Sequence, residues 1–569
     1  MKKIARVDMS TLDVSTGQVP EDYAMYGGRG LIARILLNEV EPTCDPLGRK
    51  NKVVISPGLL GGTSAPNANR ISIGGKSPLT HGIKESNAGG TIGARLSRLG
   101  IKAVIIEGKP EPYSLHILKI GADGCEVLPA YEYKGVGIYQ SASMLQREYG
   151  TRAGIALIGP AGEAGILSAC IAVTDPEGNP SRYCGRGGIG AVLGSKGIKA
   201  VVVEDTKRSR IAYSDRESFR STVMTIMSHI SETPDAGGFY PKYGTPFMIN
   251  LMNDKGALPT RNFTSGRFEK ADEISGERMY EIIEDRKGEG KHTHSCMPGC
   301  VVGCSNVYPD ADGHVLVSPL EYETIGMLGS NCGIGDLDDI ARLNYLCNDY
   351  GVDTIETGGA VGIAMDCGLA DFGDAKEAEN MIHEIGKASV HGRLLGSGVA
   401  IFGRVLGAKR VAAVKGQGFS AYDPRAARTC GVLFSTSPMG ADHTGGHGMR
   451  STMDQLRPEG HVEYSRKLQI ITSAFDCLGL CLMIASAVGG RPDLISRLIN
   501  FRYGGNREDD FVENTGKETL SMERRFNRGA GFTKADDRLP DFFKEERVPP
   551  HNLLFDVSDE EIDTLFEFG

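Results

Sequence analysis

Short β-branched runs punctuated by Gly and Pro fill residues 1 to about 205. They include "KVVIS" from residue 52, "ISIGG" from 71, "AVIIEG" from 103, "SLHILKI" from 114 and "KAVVVED" from 199. Runs of that length and composition predict strands. From about residue 206 the period changes. "SDRESFRSTVMTIMSHI", "GERMYEIIEDRK" and "DLDDIARLNYLCNDY" place apolar residues at helical spacing, and Gly351 is the expected stop of the third. Asp353 with Glu356 predicts a capping box for the next helix, with Asp in place of the usual Ser or Thr. The last third reads as helical with long loops, and its tail as a packed extension ending in a short acidic helix. The pattern shows no repeat at a fixed period.

Composition narrows the class. The chain has 569 residues, 40% hydrophobic and 24% charged, the mix of an ordered globular protein. Its length suggests roughly two to four domains. A net charge of -9 argues against a general nucleic-acid binder and leaves room for a local basic pocket. Gly accounts for 76 residues and falls in clusters such as "YGGRG", "NAGGTIG" and "GRGGIG". Such clusters mean either tight turns or backbone held close to something large. "MKKIARVDMSTLDV" lacks the apolar core of a secretory signal, and no apolar run reaches membrane-spanning length, so a cytoplasmic protein is expected.

Thirteen cysteines, an odd number, argue against a disulfide framework. Most stand alone and read as small buried hydrophobes. "HSCMPGCVVGCSN" is different, with Cys296, Cys300 and Cys304 at four-residue spacing. A helix would stack them on one face, but Pro298, Gly299 and Gly303 favour a wrapped loop. Three local cysteines and one distant one is a common way to hold an iron–sulfur cluster. Zinc, which prefers C-x2-C pairs, and plain structural thiols are the other two readings. "DCLGLC" at 476–481 offers Cys477 and Cys481 for the fourth position.

Two motifs are decoys. Gly185, Gly187 and Gly190 match the dinucleotide fingerprint, but "DPEGNPSRYC" before them does not read as a strand. "GGKS" at 74–77 resembles the end of a P-loop, yet Arg70 stands where the first glycine is required. The remaining Gly and Arg segments suit phosphate, through backbone N–H nests and guanidinium forks.

"YGGRGL", "NRISIGGKSPLT", "ESNAGGTIGARL", "GRGGIGAVLGSKGIKA", the cysteine loop, "EYETIGMLGSNCGI", "GVDTIETG", "AYDPR", "MGADHTGGH" and "DCLGLC" together resemble the tungsten-containing aldehyde:ferredoxin oxidoreductases, block by block along nearly the whole chain. The resemblance implies an α+β fold. An N-terminal β-sheet domain over 1–205 cradles a bis-pterin cofactor. Two mostly α-helical domains follow, 206–410 with the cysteine loop and 411–569 with the fourth cluster cysteine. Tungsten, or molybdenum, is held by the four dithiolene sulfurs, and a [4Fe-4S] cluster beside one pterin takes Cys296, Cys300, Cys304 and Cys481 as ligands. Arg70 and Arg186 are implied as pterin contacts with Gly89 beside them, and Asn87 and the backbone of Gly187 as ligands of a magnesium bridging the pterin phosphates. Of the two D-x-x-G-L-C/D motifs, "DCLGLC" fits fully and brings Asp476 and Gly479 to a pterin. "NDYGVD" supplies Gly351 and Asp353, but Asn348 stands where Asp is usual and carries an NH2 in place of an oxygen. The cysteine spacing C-x3-C-x3-C also departs from the family's commonest C-x2-C-x3-C.

Oxidising an aldehyde to an acid consumes water and releases protons and electrons, so a carboxylate and an imidazole are the expected tools. Glu321 and Glu323 of "LEYET" and His443 of "GADHTGGH" resemble the family's active-site pair, with Glu323 preferred over Glu321 and His447 in reserve. The plain alternative is a helix-capping glutamate and a loop histidine. The expected activity is aldehyde oxidation with electrons leaving to ferredoxin or an iron–sulfur partner subunit, in a homo- or hetero-oligomer without nucleic-acid or membrane partners. The alternatives are a reductase-complex subunit acting on another low-potential substrate, or a cluster-bearing electron-transfer scaffold.

Overall fold

The structure is a computed structural model that describes residues 3–205, 211–446, 448–449, 453–455 and 457–567. His447 lies outside them. The apolar runs of the first part form twelve strands: β1 (Lys3–Asp8), β2 (Asp13–Gln18), β3 (Val53–Pro57), β4 (Ile71–Lys76), β5 (Ile83–Ala88), β6 (Ile101–Glu107), β7 (His116–Gly121), β8 (Gly124–Pro129), β9 (Gly154–Leu157), β10 (Ile171–Val173), β11 (Arg182–Cys184) and β12 (Ile198–Val203). They make two six-stranded sheets, ordered β2-β1-β6-β3-β4-β5 and β8-β7-β12-β9-β10-β11. Only β1/β6 and β7/β12 run parallel; every other pairing is antiparallel.

The second sheet therefore repeats the first strand for strand, against the expectation of no repeat. The sequence carries the same duplication in "GTIGARLSRLGIKAVIIEG" at 90–108 and "GGIGAVLGSKGIKAVVVED" at 187–205. Two diverged copies do not make a sustained period, which is why periodicity misses them. The equivalent glycines Gly90 and Gly187 both take positive φ, +98° and +80°, a turn that side chains resist. Val53, Ile55, Ile73 and Val104 of one sheet meet Leu118, Ala156, Val201 and Val203 of the other in one core. Burying each of the Val, Leu and Ile side chains is worth about 1.5–3 kcal/mol.

The segment before the dinucleotide-like glycines differs from the expectation that it holds no strand. A strand, β11, does precede "GRGGIG", and α2 (Ile189–Ser195) follows it. β11, however, is an edge strand antiparallel to β10. No parallel βαβ unit forms there, so the dinucleotide geometry is still missing.

Helices dominate thereafter. α3 (Arg216–Glu232) and α4 (Gly276–Arg286) are capped by Asp215 and Ser275, and α5 (Leu337–Tyr350) ends on left-handed Gly351. Asp353 caps α6 (Thr354–Asp366) by accepting from the Ile355 N–H. Glu356 does not complete the box. It is buried, and accepts from the N–H groups of Val399 and Gly418 at 3.0 and 2.6 Å. A three-stranded sheet of β13 (Lys291–His294), β14 (Ser305–Pro309) and β15 (Val315–Val317) carries the cysteine loop between its first two strands. Cys367 is exposed, unlike the other solitary thiols, which are buried or half-buried.

α1 (Gly28–Glu39), α7 (His461–Leu478) and α8 (Phe511–Gly529) all pack against one another. The approach is backbone to backbone. A Cβ on Gly28 would lie 2.1 Å from the Asp476 carbonyl oxygen, and one on Gly58 would lie 2.0 Å from the Gly479 nitrogen. This seam joins the sheet domain to the last helical part. Among the described residues no helix is long and apolar enough to cross a membrane.

Candidate active site

The cysteine loop wraps rather than coils, and Asn67 stitches it to the sheet domain. Its N–H donates to the Gly299 carbonyl at 2.9 Å, its Oδ1 accepts from the Val301 N–H at 3.0 Å, and its own carbonyl accepts from the Cys481 N–H at 2.8 Å. Cys481 thereby joins Cys296, Met297, Cys300 and Met483 in one apolar contact group. Cys304 is close enough to feel the charges of Cys300 and Cys481. A hydrogen bond from Cys296, helped by the N–H groups of Gly303 and Val302, outweighs burial and pulls the Cys300 thiol down to about 5. Cys477 faces the other way, its sulfur 3.3 Å from Thr519 Oγ1. Among the described residues no three His, Cys, Asp or Glu converge tightly enough for a single metal ion.

A polar chain runs from the cysteines into the seam. Arg70 donates to the Asn87 side-chain oxygen and, at 3.0 Å, to its backbone carbonyl. Asn87 Nδ2 donates to Asp476 at 3.0 Å, Asp476 pairs with Arg29 at 3.2 Å, and Arg29 pairs with Glu523 at 2.8 Å. Arg70, Asn87 and Asp476 thus come together, with Asp476 delivered by the last turn of α7 and Arg29 by the first turn of α1. Arg70 is surrounded by protein atoms yet keeps accessible surface, so it lines an interior cleft. Burial pushes the Asp476 carboxyl up, against the pull of Arg29 and Arg70. Glu85, on β5, is pushed up by burial and then by Asp476, and its Oε1 is buried without a hydrogen-bond partner.

Arg186 anchors a second cluster. It lies 3.3 Å from Asp353 and 3.5 Å from Glu356, and donates to the carbonyls of Ala441 and Gly418 at 2.6 and 2.5 Å. Lys84 pairs with Asp442 in the same interior. Burial opposes the charge on Asp442, but Lys84, Arg186 and His443 hold its carboxyl well below the usual range. Burial raises Asp353 and Glu356 despite Arg186. A Cβ on Gly187 would strike the Lys84 stem at 2.4 Å, and one on Gly89 would lie 3.0 Å from Cys296 Sγ. These glycines let backbone approach where no side chain fits. Asn348 stands apart, donating to the Tyr139 hydroxyl at 3.3 Å. The oxygens expected at magnesium already accept hydrogen bonds, Asn87 Oδ1 from Arg70 and the Gly187 carbonyl from Ser77. Three buried cations, Arg29, Lys84 and Arg186, with half-buried Arg70, in a glycine-walled interior are a donor set that fits an anionic, phosphate-bearing ligand.

Glu323 and His443 meet, with Oε1 3.4 Å from Nε2. The other Glu323 oxygen accepts from the Ala421 N–H at 2.8 Å, which fixes the carboxylate. Glu321, two residues earlier, points elsewhere: it accepts from Thr245 and from Ser305 at 3.3 Å, and sits 3.9 Å from Arg182. Asp442, the residue before His443, caps the turn that carries it by accepting from Thr444 N–H at 3.0 Å. Sequence reasoning missed Arg29, Lys84, Glu85, Asp442 and Glu523 as site residues. One signal was available: "IKESNA" is a strand whose Lys and Glu are both buried, an arrangement that demands partners.

The chain is similar to known proteins along nearly its whole length. A family model described as the N-terminal domain of aldehyde ferredoxin oxidoreductase matches residues 4–205, and one described as its domains 2 and 3 matches 221–566. A tungsten-containing aldehyde ferredoxin oxidoreductase of Thermococcus kodakarensis is 34% identical, over 96% of this chain and 92% of its own. An aliphatic sulfonate oxidoreductase WOR-like subunit of Pyrococcus furiosus is 27% identical, over 80% of this chain and 72% of its own. Among solved structures, the active-site complex BamBC of benzoyl coenzyme A reductase with 1,5-dienoyl-CoA superposes with a TM-score of 0.81 at 20% identity, covering 99% of this chain and 92% of that one. That last likeness is one of fold.

Proposed function

Since this chain belongs to the aldehyde ferredoxin oxidoreductase family, we propose that it oxidises an aldehyde with water to the carboxylic acid and passes the electrons to ferredoxin or an iron–sulfur partner subunit. The chain is an oxidoreductase of the tungstopterin kind. When bound, the tungsten–dithiolene centre, or its molybdenum counterpart, supplies the two-electron acceptor. The chain supplies the rest. Glu323, pinned through one oxygen by Ala421, keeps its other oxygen towards His443 and takes a proton from the attacking water. His443 carries protons away. Arg70, Asn87, Gly89, Asp476 and Gly479 would hold one pterin, and Arg186 and Asp353 the other; Asn348, turned to Tyr139, and the Asn87 and Gly187 oxygens, already hydrogen-bonded, would have to turn to serve a pterin and a magnesium. Cys296, Cys300, Cys304 and Cys481 would hold the [4Fe-4S] cluster.

The observation that carries this reading is the junction of the two halves. The Gly90 N–H, just beyond the Asn87 end of β5, donates to the Cys296 carbonyl at 2.7 Å. The pterin-facing strand and the cysteine loop are therefore one construction. A second reading, the catalytic subunit of a complex working on another low-potential substrate, is favoured by the likeness to the WOR-like subunit and by the unusual cysteine spacing. Metal analysis with a viologen-linked screen of aliphatic, aromatic and sugar aldehydes tests the proposal. About one tungsten or molybdenum and about four iron per chain, with aldehyde turnover, is expected. Iron alone without turnover would leave the scaffold reading. Full metal content with no aldehyde oxidised would favour the second.

A further inference from the structure

We propose that the face around Ser64, Arg98 and Arg216 is the docking surface for a small acidic electron-carrier protein. The inference rests on the redox reading above and adds where the carrier binds. The cysteine loop reaches the surface here. Gly299 and Val301, on either side of half-buried Cys300, are exposed, Val301 to 41%. The Ala65 carbonyl lies 3.7 Å from where a Gly299 Cβ would sit. Ser64, the next residue back, is exposed at the mouth of a cleft of about 480 Å³ lined by Thr63, Arg98, Tyr213 and Arg216 among others. A carrier seated over this cleft stands beside the thiol nearest to solvent.

The charge of the cleft is opposite to that of the chain. Among the described residues two arginines and no carboxylate line it, on a protein of net charge -9. Among the described residues neither Arg98 nor Arg216 makes an ion pair. Of the acids nearby in sequence, Asp205 pairs with Arg95 and Arg152, Asp215 caps α3 through the Ser218 N–H, and Glu217, exposed next to Arg216, does not line the cleft. Arg502 extends the patch, its guanidinium 5.8 Å from the Tyr213 ring centre, with Arg216 at 5.9 Å. Unpaired cations over an aromatic ring attract an anionic partner from a distance and hold it loosely. A carrier that must arrive, take an electron and leave needs a small polar interface of that kind. A stable subunit would ask for a broad apolar one.

The test compares wild-type holoenzyme with Arg98→Glu/Arg216→Glu, using a bacterial-type acidic ferredoxin with two [4Fe-4S] clusters and, separately, benzyl viologen. The expected result is a rise of about tenfold or more in KM for ferredoxin and a flattened dependence on ionic strength. Viologen turnover and iron content should be retained, since a small dye needs no docking face. Unchanged ferredoxin kinetics would overturn the proposal. So would equal losses with both acceptors, which would make the arginines structural. The milder Arg98→Gln/Arg216→Gln should show an intermediate KM if charge is the cause. Wild-type enzyme that oxidises no aldehyde with either acceptor would instead overturn the function proposed above.

Discussion

His443 Nε2 lies 3.4 Å from Glu323 Oε1, while Glu321 is turned away towards Thr245 and Ser305. Two glutamates separated by one residue therefore have different tasks. Glu323→Gln and His443→Ala should each lower kcat by about 10²- to 10⁴-fold, the usual worth of a positioned acid or base. Metal content should not change. Glu321→Gln should keep kcat within a few-fold. A loss at Glu321 with none at Glu323, in viologen-linked kinetics, would reverse the roles.

The two cysteines of "DCLGLC" should separate cleanly. Cys481→Ala should lose iron or convert the cluster, read by iron analysis and by EPR of the reduced protein. Cys477→Ala should keep the full signal, because its sulfur faces Thr519 rather than the loop.

Arg29 is buried between Asp476 and Glu523. Removing one member of a buried ionic group strands the others, at a cost of about 3–5 kcal/mol. Arg29→Met should show that loss in denaturant unfolding. Adding Glu523→Gln should recover part of it. Equal stability of wild type and Arg29→Met would mean that solvent reaches the pair.

Glu85 gives a pH dependence with a definite sign. Its folded-state pKa is raised, by burial and by Asp476. A carboxyl of this kind favours folding while protonated, so its contribution is whole below the unfolded value of about 4.3 and is lost as pH rises towards the folded value. Glu85→Gln should lose that share of the slope and gain on wild type towards neutral and alkaline pH. Parallel stability–pH curves for the two proteins would refute the assignment.

Much of this was legible in the chain. The strands at "KVVIS" and "KAVVVED", the stop at Gly351 and the loop around Cys296 follow from local rules, and the structure has them. The resemblance supplied Arg70 and Asp476, each as a pterin contact, and Glu323 with His443 as the active-site pair. What escaped reading was decided by contacts distant along the chain. Arg29 looks like one more residue of a glycine-rich helix start until Glu523 arrives opposite it, 494 residues later. Glu356 looked like a cap because local spacing favours one, yet its carboxylate serves Val399 and Gly418 instead. The duplication of the sheets was visible as two similar nineteen-residue stretches, but only a search for a single copy would have found it.

The glycine seam sets an order of events during synthesis. Asp476 reaches Arg29 across 447 residues of chain, and Cys481 lies just beyond it. Until the ribosome has released that stretch, the loop around Cys296 has three thiols and no fourth, and one wall of the neighbouring cleft does not exist. Contacts between such distant segments form late in folding. A nascent chain therefore offers an open half-mould, and the last helices close it. Any large inorganic guest has its widest entrance before that closure, and a fully folded chain should admit one only by parting the seam.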